Sequence, residues 1–325
     1  MSNTTERLQP DASGIRRAVE LLNQGQLVAF PTETVYGLGA DATNPEAVKK
    51  VFDAKGRPPG HPLIVHIAEA SELYRWASEV PKAAELLAAA FWPGPLTMVL
   101  PRTSLVAAEA VGGHDTIGIR VPAHPTSAAL CQAFSGGIAA PSANRFGGVS
   151  PTSARHVLDD LEGEIAAVID GGPCDLGIES TIVEIVDNEV TVLRPGSITR
   201  SMLSGEIGGL GAEVALPPTS GQVVRAPGML ESHYAPSTPL QMVSHPELSG
   251  VMASTVGAYA VIAPFEVSAE PSWELPNDID GYARELYAAL RSADNSGVQR
   301  ILIVPPKQDE DSEAIFDRIR KAAFE

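Results

Sequence analysis

The sequence runs to 325 residues with a formal net charge of −17, 44% hydrophobic and 5% aromatic residues, enough for one large domain or two unequal ones. Cut at residue 217, both parts are acidic, with 15 Lys+Arg against 25 Asp+Glu before and 8 against 15 after; that argues against a broad basic nucleic-acid surface but leaves room for a small positive pocket. Cys131 and Cys174 stand outside any CxxC or CxxH spacing, so no zinc site or disulfide framework is suggested, and a polar N-terminus with no long apolar run predicts a cytoplasmic protein without a membrane span.

Ser13, followed by Ile15, Ala18, Val19 and Leu22, reads as a capped amphipathic helix, with QLVAF (26–30) after it as a short buried strand. Asn44-Pro45 opens a second helix with Val48, Val51 and Phe52 on one face. PLIVHI (62–67) reads as a strand, PKAAELLAAAF (81–91) as a helix, and PLTMVL, TIGIRV and GGIAA (95–100, 116–121, 136–140) as further strands. A helix from about Thr152 to Leu161 and the strands IAAVID, STIVEIV and EVTVLR complete the first unit. Several strands follow one another without a helix, which favours a mixed twisted sheet with helices around it. The Gly-rich patch SGEIGGLG (204–211) reads as a loop.

Residues 217–239, PPTSGQVVRAPGMLESHYAPSTP, carry five prolines and no clear periodicity, and read as an extended linker. LQMVS, GAYAVIAP, a helix over about 278–292, the strand QRILIVP (299–305) and a last helix then make a small β/α domain, doubly wound in character. The expected division is 1–216, linker or lid 217–239, and 240–325. No GxGxxG follows a strand, so dinucleotide binding there is not supported.

Chemistry-bearing residues gather in the first unit. PTETVYGLGADA (31–42) puts hydroxyls, one carboxylate and two glycines after a strand, where backbone N–H groups and threonine hydroxyls can approach a polar ligand; a plain strand-to-loop turn explains it nearly as well. KGRPPGHPLIVHI (55–67) is harder to explain as structure. Pro58 and Pro59 hold Lys55 and Arg57 out of helix, so their side chains are expected to project from a stiff loop with His61, while His66 follows on the strand, on the face of Ile64. Two histidines beside a Lys/Arg pair favour phosphate or carboxylate binding.

Arg120 in TIGIRVP and Arg194 in LRPGS stand at strand ends just before prolines, where site residues of open α/β folds collect. APSANRFGGVSPTSA (140–154) runs into a helix whose start, near Ser150 to Ser153, offers free N–H groups to an anion. Neither it nor DGGPCDLGIEST (170–181) matches the GxxxxGK[ST] phosphate loop, and Ser142 is not in GxSxG. In PGMLESHYAP (227–236), His233 and Tyr234 either pin the linker or lie over the site as a lid.

Taken together, PTETVYGLGADA, KGRPPGHPLIVHI, FWPGPLTMVL, TIGIRVP, APSANRFGG, and GIESTIVEI followed by LRPGSI resemble, over about residues 13–205, the successive signatures of YrdC-type L-threonylcarbamoyladenylate synthases. The PGMLESHYAP stretch and the small C-terminal unit resemble the long, two-domain form. The resemblance implies an α/β fold: a twisted mixed sheet around a deep cavity, with a Rossmann-like C-terminal domain. It implies that L-threonine, bicarbonate or CO2 and ATP give threonylcarbamoyl-AMP and pyrophosphate, for threonylcarbamoyladenosine in tRNA.

Carried over by motif, Thr34, His66, Arg120 and Ser180 resemble the threonine-binding set, with Arg120 forked onto the carboxylate. Lys55, Arg57, His61, Thr116, Ser142, Ser150, Arg194 and Tyr234 resemble the nucleotide set, with Asn144 and Tyr36 beside them. Lys55, Arg57 and Ser142 are the expected catalytic residues. Mg2+ is expected on the ATP phosphates, because no carboxylate cluster offers it a cage. A downstream tRNA threonylcarbamoyl-transferase complex is the implied partner, with at most weak direct tRNA contact. The alternatives are an RNA-binding module on the same fold and a carbamoyl-adenylate enzyme of hydrogenase maturation; the second would need zinc-finger cysteines that the chain does not supply.

Overall fold

A computed structural model describes residues 4–216, 227 and 233–323. In chain order the first part runs β1 (Glu6–Leu8), α1 (Ala12–Asn23), β2 (Val28–Phe30), β3 (Gly37–Asp41), α2 (Pro45–Lys55), β4 (Ile64–His66), α3 (Leu73–Trp76), α4 (Lys82–Phe91), β5 (Leu96–Pro101) and β6 (Thr116–Arg120). It continues with α5 (Pro125–Phe134), β7 (Ile138–Ala139), α6 (Ala154–Leu161), β8 (Ala167–Ile169), β9 (Thr181–Val186), β10 (Glu189–Arg194), α7 (Arg200–Ile207) and β11 (Val214–Ala215). The second part holds β12 (Leu240–Met242), α8 (Leu248–Ser254), β13 (Tyr259–Ala263), β14 (Ser272–Glu274), α9 (Ile279–Asp294), β15 (Arg300–Ile303) and α10 (Glu313–Ala322).

Among the described residues the first set of strands forms one mixed sheet in the order β1-β8-β2-β3-β7-β4-β6-β5-β9-β10-β11. Parallel pairs such as β4/β6 and β5/β9 alternate with antiparallel pairs such as β2/β3 and β5/β6. The second set is all parallel, β12-β15-β13-β14. Strand alternation sends Ala260 and Ile262 towards α9 and α10, and Val261 and Ala263 towards α8, so both faces of this sheet are covered. The expected α/β class, with a large mixed sheet and a smaller doubly wound unit, is the architecture found. Of the proline-rich stretch, Pro227 and residues 233–239 are described; the remainder lies outside the described residues.

Several local expectations need correction. The cap of α1 is Asp11, whose carboxylate accepts the N–H groups of Ser13 and Gly14; Ser13 itself donates its hydroxyl to Asp11. The second half of PTETVYGLGADA is strand β3: Gly39 has no Cβ to meet Ile138 and Phe30 at 2.8 and 2.9 Å, so the glycine that looks like a turn signal is a close-packing residue. Lys55 is the last residue of α2, and Gly56, at φ 62°, turns the chain out. The stiff loop therefore begins one residue later than expected. The patch at 204–211 starts inside α7, which runs to Ile207, before a single 3-10 turn. Helix α5 gave no periodic signal because PTSAALCQAF has no charge to mark an outer face; it starts on Pro125, capped by the His124 ring, which accepts the Thr126 N–H.

Candidate active site

His66, Arg120 and Arg194 are the final residues of β4, β6 and β10, and all three line one cavity at that edge of the sheet. Thr34 reaches it from the loop after β2, Arg57 from the turn after α2, Ser142 from the loop after β7 and Ser180 from the residue before β9. Pro227, His233 and Tyr234 close it from the linker side. A roomier cleft of about 330 Å3 lies where the two parts of the chain meet, but it is walled by Asp278, Asp280 and Asp311 with no cation, a poor host for anions.

The PTET turn is knotted by its own hydroxyls. Thr32 donates to the Val35 carbonyl (2.6 Å) and accepts the Val35 N–H and the Thr34 hydroxyl (2.8 Å). That holds the Thr34 oxygen ready to accept from Arg120 Nη1 at 2.9 Å. Arg120 also donates Nε to the Gly94 carbonyl (3.2 Å), and its Nη2 lies 2.8 Å from Glu33 Oε1. Burial raises the Glu33 pKa, but Arg120 outweighs it and holds the carboxyl below its usual range. Five guanidinium N–H groups are not exhausted by these contacts, so Arg120 keeps donors for a carboxylate. His66 packs edge-on to Phe30 (5.9 Å), its Nδ1 has no hydrogen-bond partner, and burial together with Arg120 pushes its pKa down to about 3, leaving a neutral imidazole. Ser180 shares a hydrogen bond with Thr97 (2.9 Å) and accepts from Arg194 Nη2 (3.2 Å).

Arg194 makes its other hydrogen bonds to neutral oxygens, the Ser180 carbonyl (3.0 and 3.1 Å) and the Pro227 carbonyl (3.2 Å). Arg57 donates one bond to the Pro62 carbonyl (3.3 Å), leaves Nε without a partner, and lies 5.6 Å from the Phe146 ring centre; burial lowers its pKa to about 10. Neither arginine has a carboxylate partner among the described residues. Two guanidinium groups without a paired carboxylate of their own therefore line the cavity, a fit for phosphate.

The other expected residues divide. Ser142 lines the cavity and bridges to Gly37. Lys55 does not line it: its ammonium donates to the Ser142 (2.6 Å) and Asn144 (2.5 Å) carbonyls, tying down the loop that carries Ser142, and burial followed by Arg57 pushes its pKa well below the usual lysine range. Asn144 turns its amide to the Arg145 and Gly148 carbonyls and leaves Oδ1 unpaired. Ser150 donates to Glu179 Oε1 (2.6 Å), and the Ser153 hydroxyl takes the His156 N–H, so part of that helix start is filled from within the chain. His61 is half-buried outside the cavity lining, edge-on to Phe146 (5.6 Å). Thr116 opens β6, at the opposite end from Arg120, and is not in the cavity wall. Tyr36 is turned away too, its hydroxyl donating to the Gly172 carbonyl (2.7 Å) and accepting the Gly171 N–H. Tyr234, at φ 62°, stacks on Tyr287 (6.0 Å between centres), and its hydroxyl has no partner.

Sequence reasoning left two acidic residues unassigned, Glu33 and Glu179. Both stood inside quoted motifs; the signal was a lone carboxylate between threonines or beside Ser180, where an unpaired charge would be costly to bury.

Two family models cover the chain: Sua5_yciO_yrdC, described as telomere recombination, over residues 20–196, and Sua5_C, described as threonylcarbamoyl-AMP synthase, C-terminal domain, over residues 198–324. The threonylcarbamoyl-AMP synthase of Pyrococcus abyssi is 41% identical over 318 residues, covering 95% of this chain and 94% of that protein. That of Bacillus subtilis is 37% identical over 99% of this chain and 96% of its own. The crystal structure of P. abyssi Sua5 complexed with L-threonine superposes with a TM-score of 0.91 at 39% identity, over 98% of this chain and 97% of that one. E. coli YciO matches with a TM-score of 0.51 and 25% identity over 60% of this chain and 96% of its own. With both models matched in order and full-length relatives on either side, the chain belongs to the YrdC/Sua5 family of threonylcarbamoyl-AMP synthases, in its long two-domain form.

Proposed function

We propose that the cavity joins L-threonine, bicarbonate or CO2, and ATP into L-threonylcarbamoyl-AMP with release of pyrophosphate, the step that supplies tRNA threonylcarbamoyladenosine. The observation that carries this is the charge of the cavity: in a chain of net charge −17, Arg57, Arg120 and Arg194 line one small pocket, while its lining carboxylate, Glu179, is paired with Arg318 and Glu33 behind the wall with Arg120. Three anionic substrates repel one another unless cations neutralise them, and buried guanidinium groups do so with fixed geometry.

In this reading Arg120, held by Thr34 and Glu33, takes the threonine carboxylate, with neutral His66 and Ser180 beside it. Arg57 and Arg194 take the phosphates, Lys55 fixes the Ser142 loop, and Tyr234 closes the cavity. The threonine amine adds to CO2 and loses a proton to give a carbamate. A carbamate oxygen then attacks the α-phosphorus in line as the bond to pyrophosphate breaks. Positioning and charge neutralisation supply most of the rate, as at other phosphoryl centres. Among the described residues no group of three His, Cys, Asp or Glu can hold a metal ion, and Glu33 and Glu179 are engaged by arginines. Mg2+ fits this site as part of the substrate, Mg·ATP, held by phosphate oxygens and water.

Among the described residues no helix is long and apolar enough to cross a membrane. From the resemblance alone we infer a cytoplasmic enzyme whose product goes to a tRNA threonylcarbamoyl-transferase complex. Pyrophosphate release by the purified protein, with threonine and bicarbonate added singly and together, tests the reading. Release that needs both, with an AMP-linked product, is expected; release without threonine refutes it.

A further inference from the structure

Glu179 immediately precedes Ser180, and its neighbour's carbonyl is held by two N–H groups of Arg194. Its own carboxylate points the other way, into the C-terminal part of the chain. Oε2 accepts Arg318 Nε at 2.7 Å and the Tyr287 hydroxyl at 2.9 Å, while Oε1 accepts from Ser150. Arg318, on α10, has a side chain with 0% exposure. It also donates to the Pro195 carbonyl (3.0 Å) and to Asp317, which Lys321 shares at 2.7 Å, and it lies 5.1 Å from the Tyr234 ring centre. A helix at the far end of the chain thus supplies the counter-charge for a carboxylate in the wall of the cavity.

Two arginines bear on Glu179, and they are not equivalent. Arg318 is paired with it, whereas every N–H bond of Arg194 among the described residues ends on a neutral oxygen. A buried carboxylate deprived of its partner seeks the next cation, because an unpaired charge is costly in the interior. Arg194, bonded to the adjacent residue, is the other cation whose charge acts on Glu179. We infer that Arg318 is a positioning residue for the nucleotide subsite: by holding Glu179 on its own side of the cavity wall, it keeps the charge of Arg194 for an anionic ligand. Through this contact the C-terminal part of the chain tunes a site whose walls belong to the first part and the linker. The inference rests on the reading of Arg194 as a phosphate-binding cation.

The test uses the full chain and initial rates of pyrophosphate release, with Mg·ATP and threonine varied separately and Tm measured alongside. Arg318→Gln is expected to raise the KM for ATP about tenfold or more, the scale of one charge-assisted contact, and to leave that for threonine within about threefold. The double variant Arg318→Gln/Glu179→Gln removes both charges and is expected to recover most of the ATP effect. Arg318→Lys, which keeps the charge but loses the fork, is expected to keep the KM for ATP within about threefold even where Tm falls. A merely structural contact predicts otherwise: both KM values would move together, or activity would follow the folded fraction, and the double variant would not recover ATP binding. Either result overturns the inference. Should Arg318→Gln fail to fold, Arg318→Lys and the double variant decide it, since an ATP effect of about tenfold in either contradicts the charge argument. Arg194→Gln separates the underlying reading: if it leaves the KM for ATP unchanged, Arg194 does not bind phosphate and the site assignment itself fails.

Discussion

Replacing Arg120 by alanine separates two roles that the geometry gives one side chain. The pair it makes with Glu33 is buried, with 4% and 8% of the side chains exposed. Removing one partner of such a pair costs about 3–5 kcal/mol, because the other charge is left in the interior. Binding is a second quantity. A charge-assisted hydrogen bond to a carboxylate is worth about 1.5–3 kcal/mol, and a tenfold change corresponds to about 1.4 kcal/mol, so the KM for threonine should rise about 10- to 150-fold. The KM for ATP should change by no more than about threefold, because Arg57 and Arg194 are untouched. The companion variant Arg120→Ala/Glu33→Gln removes the stranded carboxylate and should regain stability, and it should regain none of the threonine binding. The assay is pyrophosphate release with each substrate varied at saturation of the other, with urea unfolding in parallel. Equal rises for threonine and ATP, or recovery of the threonine KM along with stability in the double variant, would refute the assignment.

Acid should weaken the fold well above the carboxylate range. His66 and His233 are both pushed down to about 3 by burial, so the folded chain excludes protons that the unfolded chain takes up below about pH 6.5. Stability is whole above that pH and is lost as pH falls towards 3, by about 2 kcal/mol for each imidazole between pH 7 and 5; urea midpoints that stay flat over that window would contradict it. Gly177→Ala should cost a few kcal/mol: its φ is 76°, and a Cβ there would stand 2.5 Å from the Arg284 Cα and 2.6 Å from the Ala283 carbonyl of α9. Thermal melting of the full chain checks it, and an unchanged Tm would show that the two parts do not pack there as described. Lys55→Met leaves the Ser142 and Asn144 carbonyls without their ammonium donor, so kcat/KM and stability should both fall; loss of activity at unchanged stability would instead make Lys55 a direct ligand. Chelating Mg2+ should stop the reaction without lowering Tm in the absence of ATP, whereas a drop in Tm would reveal a metal held by the protein.

Much of this protein could be read from the chain. Apolar runs between turn signals located most strands to within two or three residues, since a buried strand must be apolar wherever it lies. Arg120 and Arg194 were legible as site residues because each ends a strand just before a proline, and a mixed sheet collects such ends at one edge. Strand alternation put His66 on the face of Ile64, and both line the cavity, while its place beside threonine came from the family motif. The motifs supplied what periodicity could not, the identity of the chemistry.

Tertiary structure decided where those side chains point and what holds them. Lys55 and Arg57 look equivalent two residues apart, yet one ends a helix and binds carbonyls while the other lines the cavity. Thr116 belongs to the same strand as Arg120 but opens it, outside the cavity wall, because a five-residue strand puts its two ends far apart. The compensation of charge was the least legible part. Glu33 answers Arg120 from 87 residues away, and Glu179 is answered by Arg318 across 139, on a helix with no motif of its own. Local sequence determines the period and the turn of each element, because those depend on neighbours along the chain. Which buried charge meets which counter-charge depends on neighbours in space, and only the folded chain determines those.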